Sequence, residues 1–167
     1  DDWNVISVAN GVVKLNSNAA AFGSGNGTYL DKSYGANASA THINGGALTG
    51  NNVDLLILLF ASLSGISKIG QYTGNGSSQT IDCGFSSGAR FVLIKRTDAS
   101  GDWWIFDTVR GIVTGNDSYL ALNSNIAENA YGAGDNIDPN STGFTINQEY
   151  LTQANVSSAS YIFYAIA

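Results

Sequence analysis

Apolar residues along this chain alternate with polar ones at a period of two or gather in short unbroken runs, the patterning of strands with one or both faces buried. It predicts strands at 3–8, 12–15, 55–61, 68–72, 80–83, 90–95, 103–108, 119–122, 144–146 and 161–166. Between them stand GSGNG, NGG, TGNGSS, DASGD and YGAGDN, whose Gly, Asn and Asp residues tolerate positive φ or hydrogen-bond their own backbone and so close turns. The run inside DLLILLFASLSGI suits a helix or a strand buried on both faces, and is read as the strand. Short strands with few helical windows point to an all-β chain, an antiparallel β-sandwich of jelly-roll-like form.

The pattern also repeats. Displaced by 107 residues, 15–31 falls on 122–138 with eight of seventeen positions identical: Leu15, Asn16, Ser17, Asn18, Ala20, Gly25, Gly27 and Asp31. Asp2-Trp3 matches Asp102-Trp103, HINGG faces TINQE, and LLILLFA at 55–61 faces YIFYAIA at 161–167 with a displacement of 106. Residues 66–100 have no counterpart upstream. The chain thus divides into a partial, rear copy over 1–65 and a complete unit over 66–167, expected as one compact body or two abutting lobes. In the shared LNSN wording the Leu is expected to point inward, with Asn and Ser closing a turn.

Composition narrows the partners. A formal charge of -6 from 13 acidic and 7 scattered basic residues argues against nucleic acid, whose phosphates need clustered Lys and Arg. The run at 55–60 falls far short of the roughly 20 apolar residues of a spanning helix, so no membrane insertion is expected. The single Cys83 excludes an internal disulfide and reads as a small buried apolar residue. Absence of Met, even at position 1, suggests a processed product or a piece of a longer protein.

The ordered series KIGQYTGNGSSQTIDCGF, ARFVLIKRTDASGDWWIFDTVRGI, NDSYLALNSN, IDPNSTGFTIN and YIFYAIA resembles a repeat module of bacteriophage tail-fibre and minor tail structural proteins. The resemblance covers 66–167, and LFASLSGISKIG is similar to the junction between consecutive modules. It implies a non-enzymatic component of the virion surface, engaged in host attachment or particle architecture, and carries over no catalytic residues.

The residues themselves agree. His42 is the single histidine and has no thiolate or second imidazole beside it, so neither a zinc site nor a Ser-His-Asp triad is supported. No carboxylate spacing nominates a glycosidase pair, and no cofactor is expected. GDNIDPN offers Asp135, Asn136, Asp138 and Asn140 as oxygen ligands, making Asp135 and Asp138 a weak calcium candidate; a plain turn capped by these side chains is the stronger reading. Six Asn-x-Ser/Thr sequons, at Asn26, Asn37, Asn75, Asn116, Asn140 and Asn155, are read as turn chemistry.

GDWWIFDTVRG is the most suggestive stretch. On a strand Trp103 and Trp104 point to opposite sides, so one is a candidate to stack on a sugar ring beside Asp107 and Arg110. The alternative buries both tryptophans and makes Asp107 and Arg110 an ordinary ion pair. The functional expectation is a tail-fibre or receptor-binding module contacting a host surface glycan or protein. The other readings are a head decoration or other architectural virion protein, whose partners are virion subunits, and an extracellular bacterial adhesin or lectin. A homo-oligomer is expected, a trimer fitting a fibre.

Overall fold

The computed structural model describes residues 60–128, 134–147 and 153–167, together with the backbone of two early strands. Ten strands occur among the described residues: β1 (Asn4–Ser7), β2 (Gly11–Lys14), β3 (Ser67–Thr73), β4 (Gln79–Asp82), β5 (Phe91–Arg96), β6 (Trp103–Asp107), β7 (Leu120–Ala121), β8 (Ile137–Asn140), β9 (Gly143–Ile146) and β10 (Ser160–Ile166). No helix occurs among them.

All pairings are antiparallel. One sheet has the order β3-β10-β5-β6-β7, a second β4-β9-β8, and β1 pairs with β2 as a separate hairpin. The chain is therefore the all-β sandwich its patterning predicts. A jelly roll divides eight strands evenly between its sheets; here β5, β6 and β7 run on as a meander, giving five and three.

The core lies between the sheets. Val92, Ile94, Trp104, Phe106, Ala121, Tyr161, Phe163 and Ala165 line the five-stranded side, and Ile137, Phe144 and Ile146 the other. The Phe144 and Phe163 rings meet edge to face at 5.5 Å across the gap, a favoured aromatic geometry. Phe163 gains its place from Gly70 opposite on β3, where a Cβ would come within 2.6 Å of the ring. Cys83 is buried as expected, a free thiol pushed up to about 11 chiefly by burial.

Two expectations change. The stretch read as a plain turn at 135–140 contains a strand, β8. Its Pro139, opposite Phe144 of β9, lacks an amide proton, which only an edge strand tolerates; β8 is that edge. Leu122 does not point inward but is 43% exposed. The strand expected at 55–61 lies almost wholly outside the described residues, with Phe60 and Ala61 outside any strand. His42, Asn26 and Asn37 also lie outside them.

The repeated wordings meet in space. Within 66–167, Asn123 of LNSN accepts from the Trp103 amide (2.8 Å) and donates to the Asp102 carboxylate (2.8 Å), so DW and LNSN are two halves of one clamp joining the start of β6 to the end of β7. The β1–β2 hairpin sets Asn4 opposite Lys14 and Val5 opposite Val13. Displaced by 100 and 107 residues, these become Trp104–Ala121 and Ile105–Leu120, pairs that β6 and β7 also make. The two strand pairs thus share one register under these displacements.

Candidate functional site

The tryptophans sit on β6 with opposite orientations, and both are buried, Trp103 at 3% and Trp104 at 7% exposure. Trp104 enters the core, its ring edge-on to Tyr119 at 5.1 Å. Trp103 takes the other side of the sheet, paired in register with Lys95. A stacking platform needs an open ring face, and neither tryptophan presents one.

Asp107 and Arg110 do come together. The Asp107 carboxylate accepts from the Val109 amide (3.0 Å) and the Arg110 amide (2.8 Å), and pairs with the Arg110 guanidinium, which also reaches Glu128 at 2.9 Å. This is a turn closed at the end of β6. Its groups are occupied with one another, so the four residues singled out in the sequence split between core, sheet and turn.

The acidic stretch is likewise engaged in structure. Asn147 Nδ2 donates to both Asp135 (2.8 Å) and Asp138 (2.9 Å), so these carboxylates converge on an amide. Buried Asp117, unremarked in the sequence, accepts from the Val113 amide (3.2 Å) and from the Asn136 and Ile137 amides (2.9 Å each), locking the approach to β8. Burial raises its carboxyl above the usual range while those donors pull it down. No group of three or more acidic, His or Cys side chains suited to a metal ion occurs among the described residues.

Turn chemistry accounts for some sequon residues. Asn75 accepts from the Ser77 amide and Asn140 from the Thr142 amide, each two residues on. Asn155 instead is fully buried, accepting from the Asn75 amide and Gln79 Nε2 and donating to the Ser77 carbonyl.

The unexpected feature is the outer face of the five-stranded sheet. Side chains alternate across a sheet and directly paired residues share a face. Ile69 pairs with Tyr164, Tyr164 with Leu93, Leu93 with Ile105, and Ile105 with Leu120. An unbroken apolar row therefore crosses all five strands on the side away from the core. Beside it lie Ile162, Ile166, Phe91 and Leu122, and these flanking residues and the row are all half-buried or exposed. Phe60 sets its ring against Tyr164, on the second strand of this surface, at 4.9 Å and a tilt of 50°.

An antiparallel sheet with one solvated face shows polar residues there. This one does not. The face also holds Lys95, fully buried, its ammonium donating to the Gly101 carbonyl at 2.6 Å; burial lowers it to about 8 against the pull of Asp102. The signal was present in SYIFYAI and FVLIK, where both phases of the alternation are apolar, the mark of strands covered on both faces.

A model of the family described as Domain of unknown function (DUF7483) matches residues 2–167. No curated protein and no solved structure matches the chain.

Proposed function

The chain belongs to the DUF7483 family, whose description assigns no chemistry, and on that footing we propose that it is a non-enzymatic structural module of a bacteriophage virion, of the tail-fibre kind, that works by packing the outer face of its five-stranded sheet against a neighbouring module. The apolar row Ile69–Tyr164–Leu93–Ile105–Leu120 carries this reading. Contiguous apolar surface rimmed by polar groups marks an interaction site, and a flat sheet face suits another protein surface better than a small ligand, which needs a concave pocket. The resemblance of 66–167 to tail-fibre and minor tail modules supplies the setting.

The withdrawn tryptophans weigh against adhesion through GDWWIFDTVRG and toward architecture. Host contact, in a module of this kind, falls to turns at the sheet ends.

Leu93→Glu tests the reading, because Leu93 faces away from the core and its loss leaves the sandwich intact. Virions assembled with the variant are expected to lack the module, while the isolated variant keeps its near-UV circular dichroism. Normal incorporation of the variant would overturn the proposal, as would saturable binding of the isolated chain to host cells abolished by Trp103→Ala.

A further inference from the structure

We infer that the neighbour seated on the outer face of the five-stranded sheet is a second copy of this chain, set face to face about a two-fold axis with Leu93 at the centre of the contact. The inference rests on the reading of that face as a module interface and names the partner. Leu93 is the middle of the surface in both directions. It lies on the third of the five strands, midway along the row from Ile69 to Leu120, and between Phe91 and Lys95 along β5. A two-fold in the plane between two such sheets brings that point against its own equivalent.

Charge favours self-association through this surface. Each copy carries a formal charge of -6, so two copies repel over most approaches. Among the described residues, register sets two charged side chains on the outer face, and both are engaged within the chain. Lys95 is fully buried with its ammonium on the Gly101 carbonyl. Asp107, opposite Phe91 at the end of β6, holds the turn amides and the Arg110 guanidinium. The rest is aliphatic, aromatic or uncharged, with Ser67, Gln71 and Thr73 along the β3 edge. Closing two such faces separates no charge from its partner, so the usual cost of burying ions is absent.

Size sets the strength of the pair. Five strands about 4.8 Å apart and six residues at about 3.3 Å each make a face of roughly 24 by 20 Å. Two of them closed together withdraw on the order of 1,000 Å² from water, at the lower limit of a specific interface and below the roughly 1,600 Å² of a stable one. The pair is therefore weak, half-formed at a protein concentration on the order of 10–100 μM, and is reinforced where many copies are held in one particle.

The test is sedimentation of the isolated full chain from well below to well above that concentration, in low and in high salt. Its mass is expected to rise from one chain to two and no further, with the association tightening severalfold as salt screens the mutual repulsion. Leu93→Glu, and Ile105→Gln as a milder variant, are expected to weaken it by roughly tenfold or more with near-UV circular dichroism unchanged. In a Cys83→Ala background, a short bis-maleimide is expected to join Leu93→Cys to its counterpart and to leave Val109→Cys, at an exposed turn after β6, unjoined. A dimer that ignores both variants, loosens in salt or is captured through position 109 and not 93 overturns the inference, as does growth past two chains. A chain that stays single at every concentration also overturns it; if Leu93→Glu is nonetheless left out of virions, the module-interface reading stands with a different partner. A single chain together with normal incorporation of Leu93→Glu sinks both.

Discussion

Single residues in this chain are constrained mostly by backbone groups that need a partner. Asp117 satisfies three amides, and Asp117→Ala leaves the buried Asn136 and Ile137 donors, and the more exposed Val113 donor, without it. A loss of about 2–4 kcal/mol in chemical denaturation is expected, since each stranded donor costs on the order of 1–3 kcal/mol and relaxation recovers part. Lys95 and Cys83 make opposite demands on pH. Unfolded, the lysine keeps its proton to about pH 10.4; folded it releases it near 8, so across that window the unfolded chain binds more protons and stability rises with pH. The folded Cys83 thiol keeps its proton to about 11, whereas the unfolded one loses it near 8.5, so it withdraws stability over an overlapping range. In a Cys83→Ala background the thermal midpoint is expected to climb between about pH 8 and 10, and Lys95→Met in that background to flatten the climb.

Elements owe their placement to close approaches that patterning does not reveal. Gly143 opens β9 directly opposite Asp82 of β4, where a Cβ would overlap the Ile81 carbonyl oxygen and come within 3.1 Å of Cys83 Sγ. Gly143→Ala is expected to push β4 off β9 at a cost above about 3 kcal/mol, read as lost amide protection at Ile81 and Phe144 with β10 and β5 less affected. The strands with strong alternation were legible to within a residue or two, because β5, β6 and β10 bury a hydrophobic side chain at every second position. β8 was not, since IDPN has the composition of a turn and becomes a strand only by lying along β9. Trp103 shows the same gap at the site: alternation set it on the face opposite Trp104, but that both are buried was decided by the tertiary structure.

For the whole molecule, both sheets are built from residues 67–166. A chain beginning at Phe60 is therefore expected to fold cooperatively, with a single transition in denaturant. Multiphasic unfolding would mean that the two copies share one core.

By itself the sequence determined the all-β class, the antiparallel sandwich, the buried cysteine and the repetition of DW and LNSN, because a period of two, turn residues at strand ends and self-similarity are local properties of the chain. Only the tertiary structure decided the five-and-three division, the edge position that makes IDPN a strand, the clamp that joins Asp102 to Asn123, and the alignment of Ile69, Tyr164, Leu93, Ile105 and Leu120 into one apolar row. Those depend on which strands lie side by side and in what register, and partners up to a hundred residues apart are chosen by the packing of the whole core.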